Sequence, residues 1–479
     1  MPSLRILMVT AEFAPAAKAG GLADMVAGLS RALTARGHDV RVLMPRYALP
    51  GMPADVLVAG SFLSPVRVGG GHPEVQIQAA RLGPVPAWLI AAPGLAAPGV
   101  IYGDGVRELQ RFALLAHAIL PVLRATGFVP DIVHCHDWHT ALGPLLLRAT
   151  DAGPRSVLTL HNIGYQGWFD PGLVADLGLA ACREQLHAAP AAPGSPSFLA
   201  TGIAHADVLT TVSPTHAREL LTPEFGHGLD AALRARSGVL HGILNGVDYG
   251  EWDPARDPHL PARYSAADRS GKRVCGDALA ATCGLAADPT PLLGCVSRLA
   301  TQKGLDLLAA ALPELLAAGR LRAVVLGSGD QALARAFTAL AARFPGRCAF
   351  LDRHDETLAR RVYAAADLFA VPSRYEPCGL TQMYALRYGA VPVVRATGGL
   401  ADTVTHFDPA TGRGTGSVFR DADPGGVRWA IEQALTWHAD PATWARVVGN
   451  GMAADFSWDR QVQAYVDVYA GAGAPGAPG

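Results

Sequence analysis

Residues 291–329 read PLLGCVSRLATQKGLDLLAAALPELLAAGRLRAVVLGSG. The apolar run PLLGCVSRL gives way to a stretch from Gly304 to Leu316 with helical periodicity, and that stretch to a second apolar run, AVVLGSG. Strand, helix, strand in that order predicts a parallel pair, because the helix carries the chain back to the end where it started. Apolar runs without polar alternation further predict strands covered on both faces. The rhythm continues with a helix from Asp330 to Arg343, the strand CAFLD, a helix from Glu356 to Ala365 and the strand LFAVPS.

Upstream the same alternation fills the first half of the chain. RILMV, the helix Leu22 to Ala35 and DVRVLMP form one set; DIVHC, a helix from Thr140 to Ala149 and SVLTLH form another. Between the halves, Asn245 to Tyr264 carries WDPARDPHLP, whose prolines interrupt any regular element. The chain is therefore predicted to be α/β, with two parallel sheets covered by helices, each with its own core, and the crossing between them in that segment. A length of 479 residues agrees with more than one hydrophobic core.

Composition narrows the function. Half the residues are hydrophobic and 17% are charged, so the chain has the means to fold compactly. Forty basic residues stand against 41 acidic ones. That balance supplies no long-range field for a nucleic acid or an anionic membrane, and phosphate recognition has to be local. The seven cysteines include no CxxC pair, which fits a reducing, cytoplasmic setting. No stretch reaches the roughly 18 apolar residues of a bilayer span; Phe112 to Leu123 comes nearest and holds His117. The amino-terminal MPSLRILMVTAEFAP reads as a buried first strand rather than a leader.

Five segments carry candidate chemistry, each at a predicted strand end, where α/β sheets bind ligands. Lys18, Gly20 and Gly21 follow the first strand and open a helix, a context for phosphate on main-chain amides, though neither a Walker A nor a GxGxxG sequence. GGLAD occurs there, ending at Asp24, and again from Gly398 to Asp402, where a tight strand-to-helix turn is the favoured reading. His134-Cys135-His136-Asp137-Trp138-His139 invites zinc, but neighbours on a strand point to opposite faces and no HExxH or CxxC partner appears. Asp137 is the expected strand-end carboxylate. His161 and Asn162 offer hydrogen bonds to sugar hydroxyls, the alternative for His161 alone being a buried structural histidine. Arg298 and Lys303, five residues apart at a helix start, form a candidate diphosphate clamp. Glu376 precedes another helix start, where amides from Cys378, Gly379, Leu380 and Thr381 suit a phosphate or a sugar.

Taken together with TTVSPTHA, GILNGVD, VRATGGLADTV and DFSW, these blocks resemble bacterial glycogen synthases and the plant starch synthases over nearly the whole chain. The resemblance implies a GT-B architecture, two Rossmann-like domains facing a central cleft. It implies residues 1–245 as the acceptor-side domain, 246–455 as the donor-side domain, and 456–470 as a C-terminal helix crossing back to the first; the Gly- and Pro-rich 471–479 is read as a disordered tail. The implied activity is retaining transfer of glucose from ADP-glucose to the non-reducing end of an α-1,4-glucan, without a metal or other cofactor. Lys18, Gly20 and Gly21 would approach the donor phosphates, and Arg298 and Lys303 would neutralise the departing diphosphate. His161, Asn245 and Glu376 would hold the donor glucose, with Asp137 near the reacting face.

Two positions depart from wider GT-B patterns. Eight residues after Glu376, where many such enzymes carry a second glutamate, stands Tyr384, as in the glycogen synthase group. Where relatives often stack an aromatic on the base, this chain has Arg353-His354-Asp355-Glu356, which leaves ADP against UDP selectivity open. The competing expectations are a related transferase using UDP-glucose or a small acceptor, and a two-lobed sugar-binding protein without turnover.

Overall fold

The computed structural model describes residues 3–95, 99–103, 105–148, 153–188 and 192–473. The chain forms two compact units, one from residues up to Gly246 together with the stretch from Trp458, the other Val247–Ser457.

The first unit is built on nine strands: β1 Arg5–Val9, β2 Asp39–Pro45, β3 Leu57–Leu63, β4 Glu74–Leu82, β5 Val85–Ala91, β6 Ile132–His136, β7 Arg155–Leu160, β8 Val208–Thr211 and β9 Leu240–Gly242. Their order is β3-β4-β5-β2-β1-β6-β7-β8-β9. From β5 to β9 every neighbour is parallel, whereas β3–β4 and β4–β5 are antiparallel, an extension that the parallel expectation lacked. The strand sequences explain the difference. LVAGSFL in β3 leaves Leu57, Val58 and Leu63 exposed, and β4 alternates exposed Glu74 and Gln76 with fully buried Val75 and Ile77. Such period-two strands need only one face covered, and the two-residue link between β4 and β5 suits an antiparallel hairpin.

The second unit holds β10 Leu292–Val296, β11 Arg322–Leu326, β12 Cys348–Leu351, β13 Leu368–Val371, β14 Val391–Arg395 and β15 Ser417–Phe419. The order β12-β11-β10-β13-β14-β15 is parallel throughout. Helices joining these strands start where polar caps stop the strand and release the turn: Asp330 accepts the amides of Ala332 and Leu333, and Asp355 accepts that of Leu358. The helix predicted over Thr140 to Ala149 is shorter. A single 3-10 turn, Trp138–Thr140, precedes the α-helix Gly143–Leu147, and residue 149 lies outside the described residues.

The C-terminal helix spans Trp458–Gly473, so it starts two residues later than predicted and continues through three residues assigned to a tail; 474–479 lie outside the described residues. It belongs to the first unit, where Val462, Tyr465 and Tyr469 are buried in the core with Ile6, Met8 and Val26. The two chain crossings run side by side, since the Val247 amide donates to Phe456 O at 2.7 Å. Trp458 then settles against Gly28 of the helix Gly21–Ala35 and against Gly246. A Cβ on Gly28 would lie 1.9 Å from Trp458 Nε1, so only glycine admits the indole. Gly28→Ala is expected to destabilise the first unit by roughly 1–3 kcal/mol through overpacking. Urea unfolding followed by tryptophan fluorescence measures it; an unchanged midpoint would mean that the two helices do not meet at this contact.

Candidate active site

In the parallel part of each sheet the strand order reverses once, and in open α/β sheets the loops at that reversal diverge and leave a crevice at the carboxyl edge. The reversal lies between β10 and β13 in the second unit and between β1 and β6 in the first. Most of the residues singled out from the sequence follow these strands or their parallel neighbours, whereas Asn245 follows the edge strand β9 and His354 the edge strand β12.

In the second unit the loops after β10 and β13 touch, and this brings Lys303 to Glu376. Lys303, ending the short turn Thr301–Lys303, directs Nζ to both carboxylate oxygens of Glu376, at 2.8 and 2.6 Å, while Ser373 Oγ donates to Oε2 at 2.8 Å. Their side chains are 20% and 9% exposed, so the pair is largely removed from water. The contact needs Gly304 (φ +63°), where a Cβ would lie 2.0 Å from Pro372 O. Beside it, Arg374 forms a two-bond pair with Asp306, each bond 2.7 Å. Arg298, on the same loop, is exposed and bonds to no carboxylate among the described residues.

The turn after Glu376 is held from below by the second GGLAD. The Gly399 amide donates to Glu376 O at 3.0 Å, and a Cβ on Gly398 or Gly399 would lie 1.9 Å from Glu376 O or 2.1 Å from Cys378 O. These glycines make room for backbone. Cys378 is buried and Gly379 takes φ +73°, while Leu380 and Thr381, half-buried, open the helix Thr381–Arg387. Tyr384, in that helix, stacks on Trp252 with centroids 3.8 Å apart. His354 is exposed beyond β12.

The first unit works with amides and buried polar groups. Asp137, at the end of β6, takes φ 56°, unusual for a residue with a side chain, and its Oδ1 accepts the amides of His161 at 2.6 Å and Asn162 at 3.2 Å. Burial pushes its carboxyl up to about 7, opposed by those two amides and reinforced by Glu12. His161 is held neutral by burial, which brings it down to about 3. Its Nε2 meets His136 Nδ1 at 3.1 Å. Asn162 Oδ1 accepts the Gly164 amide. Asn245 is buried, and its Oδ1, an acceptor, has no partner among the described residues.

The glycine loop after β1 differs from an open phosphate seat. Glu12 Oε2 accepts the amides of Ala19 at 2.6 Å and Gly20 at 2.9 Å, and Tyr102 Oη donates to Oε1 at 2.5 Å. An internal carboxylate therefore occupies the Gly20 amide, expected to face an external anion, together with that of Ala19. Lys18 is half exposed and pairs with Asp24 at 2.9 Å, and nothing lies within 4 Å of a Cβ on Gly20 or Gly21. Glu12 and Tyr102 were missed in the sequence. The signal for Glu12 was a carboxylate three residues past the end of an apolar strand; for Tyr102, in a loop, no local signal exists. The histidine run does not gather metal ligands: no group of three or more candidate ligands occurs among the described residues.

Two units with parallel α/β cores and charged or polar groups at their strand-order reversals fit the GT-B class of glycosyltransferases. Two family profiles agree, "Starch synthase catalytic domain" over residues 5–235 and "Glycosyl transferases group 1" over 284–446. The chain is 48% identical to a glycogen synthase of Anaeromyxobacter sp. (strain Fw109-5), covering 98% of this chain and all of that one. It is 43% identical to a glycogen synthase of Thioalkalivibrio sulfidiphilus, covering 97% and 99%. The catalytic domain of starch synthase IV from Arabidopsis thaliana, bound to ADP and acarbose, superimposes with a TM-score of 0.90 at 34% identity over 98% of this chain and all of that one. The chain belongs to the bacterial glycogen synthase family. Among the described residues no helix is long and apolar enough to cross a membrane.

Asp137 gives a pH-dependent prediction. In the unfolded chain it ionises near pH 4, in the fold near 7. Between those values the folded state keeps a proton that the unfolded chain has released, so this group's contribution to stability falls as pH rises from 4 to 7. Asp137→Asn retains an acceptor and removes the titration. Its stability relative to wild type, from urea unfolding, is expected to improve between pH 5 and pH 8; a pH-independent difference would contradict the raised pKa.

Proposed function

We propose that the chain transfers glucose from ADP-glucose to the non-reducing end of an α-1,4-glucan with retention of anomeric configuration. The observation that carries the reading is the Lys303–Glu376 pair, with the uncommitted Arg298 on the same loop as Lys303, at the strand-order reversal of the second unit. Cleavage of a sugar–diphosphate bond builds negative charge on the leaving oxygen, and fixed cations stabilise that charge without reorganising. Two of the three Lys303 donors serve Glu376, which leaves one for a phosphate oxygen, while Arg298 brings an uncompensated charge. In this reading Glu376, His161 and Asn245 bind the glucosyl hydroxyls, and Asp137 fixes the His161–Asn162 backbone through its amides. Lys18 contributes charge near the donor only if it leaves Asp24. The choice of ADP rests on the likeness to a starch synthase bound to ADP, not on His354. A reducing cytoplasmic setting accords with seven free thiols.

The test is glucosyl transfer to glycogen from labelled ADP-glucose and UDP-glucose in parallel, with enzymatic digestion of the product. ADP-glucose is expected to be the better donor and the label to be released as α-1,4-linked glucose. Arg298→Ala is expected to reduce turnover by about a hundredfold, or about 3 kcal/mol. Preference for UDP-glucose would overturn the donor assignment, and a wild-type rate in the variant would remove Arg298 from the mechanism.

A further inference from the structure

Outside the contacts already assigned, the first unit buries a line of polar side chains on one face of its sheet. His134 and His136, two apart on β6, share that face, and their rings lie 4.1 Å apart at 35°. His134 is bonded at both nitrogens: Nδ1 to Tyr469 Oη of the C-terminal helix at 2.7 Å, and Nε2 to Thr159 Oγ1 of β7 at 2.6 Å. Thr159 in turn meets Thr210 of β8 at 2.5 Å. The His136 ring, tilted against this fixed one, has a single hydrogen-bond partner among the described residues, His161 Nε2 at 3.1 Å from its Nδ1. Its own Nε2 is buried without a partner among the described residues.

Both rings of the His136–His161 bond are neutral, burial lowering each. Each then carries one proton, and one bond permits two arrangements. If His136 carried its proton on Nε2, that N–H would be buried with nothing to accept it. If the proton sits on Nδ1, it is donated to His161, and only a bare lone pair remains unpaired at Nε2. Orphaned buried N–H groups are the rarer and costlier outcome, so the second arrangement is favoured. His161 then accepts at Nε2 and must carry its own proton on Nδ1, which has no hydrogen-bond partner among the described residues.

We propose that His136 is a positioning residue that locks His161 in the Nδ1–H form, so that His161 presents a donor, not an acceptor, to the transferred sugar. The close tilted contact with His134, itself tied to the C-terminal helix and to β7, limits turning of the His136 ring. The inference rests on the reading of His161 as a ligand of the donor glucose, and it adds the direction of that hydrogen bond. A donor at this place discriminates among hydroxyl orientations and rejects a sugar whose acceptor there is missing.

The direct test is a long-range proton–nitrogen NMR spectrum of the full chain labelled at histidine, with the His161 signals assigned by their loss in His161→Gln. The expected result is pyrrole-type Nδ1 and pyridine-type Nε2 in wild type. His136→Leu is expected to release the tautomer and lower turnover about tenfold with the KM for glycogen unchanged, while His136→Asn, whose amide nitrogen can take the place of Nδ1–H, restores most of the rate. Pyrrole-type Nε2 in the wild-type protein would overturn the proposal even if the variants fail to fold, as would full turnover in His136→Leu. Wild-type turnover in His161→Gln would instead remove the reading of His161 as a sugar ligand, an outcome separable from the tautomer itself.

Discussion

A lysine ammonium clasped by both oxygens of a buried carboxylate is the interaction on which the second unit's site depends. Removing Lys303 and Glu376 from water costs several kcal/mol for each ion, and packing alone would be served as well by an apolar pair. The arrangement makes sense as a device for holding charge in a fixed place. Parallel pairing of β10 with β13 brings the two loops together, Gly304 lets their backbones touch, and the glycines of the second GGLAD support the Glu376 turn from the other side. In the proposed reaction a cation so placed is already oriented before the diphosphate leaves, and its spare N–H and Arg298, on the same loop, are the groups proposed to receive it.

The first unit reaches a comparable rigidity without an ion pair. Asp137 accepts two successive amides of the loop after β7, and Glu12 accepts two successive amides of the loop after β1. Each carboxylate thus ties down the loop beyond a strand at the carboxyl edge of the sheet. The two loops carry the residues assigned to ligand contact, His161 and Asn162 in one, Lys18 and Gly20 in the other. Carboxyl groups at main-chain amides fix backbone here, where the second unit's ion pair fixes a charge, and burial raises the pKa of Asp137 as the cost.

Much of this was legible in the sequence because buried parallel strands leave unbroken apolar runs. DVRVLMP coincides with β2 and Glu356 to Ala365 with its helix, and Arg298, Lys303 and Glu376 stood out as charges where such runs stop. The β3–β5 extension was not legible: Leu57, Val58 and Leu63 are apolar yet exposed, so hydrophobicity did not report burial there. Partnership across the chain was equally hidden. Lys303 and Glu376 lie 73 residues apart, and nothing local says that they pair with each other and not each with a ligand. Glu12 was read as part of a strand and its loop, so the occupation of the Gly20 amide had no visible source. His134 and His136 drew notice as metal ligands; their roles as hydrogen-bonded neutral rings follow from Tyr469, more than 300 residues away.

The central claim is that the Lys303–Glu376 pair and Arg298 form the seat of the nucleoside diphosphate. A crystal structure of the chain soaked with ADP tests it most directly. The account predicts the diphosphate within hydrogen-bonding distance of Lys303 Nζ and the Arg298 guanidinium, with Glu376 still bonded to Lys303. A diphosphate seated in the second unit away from both cations, for example over Arg353 and His354, would contradict it.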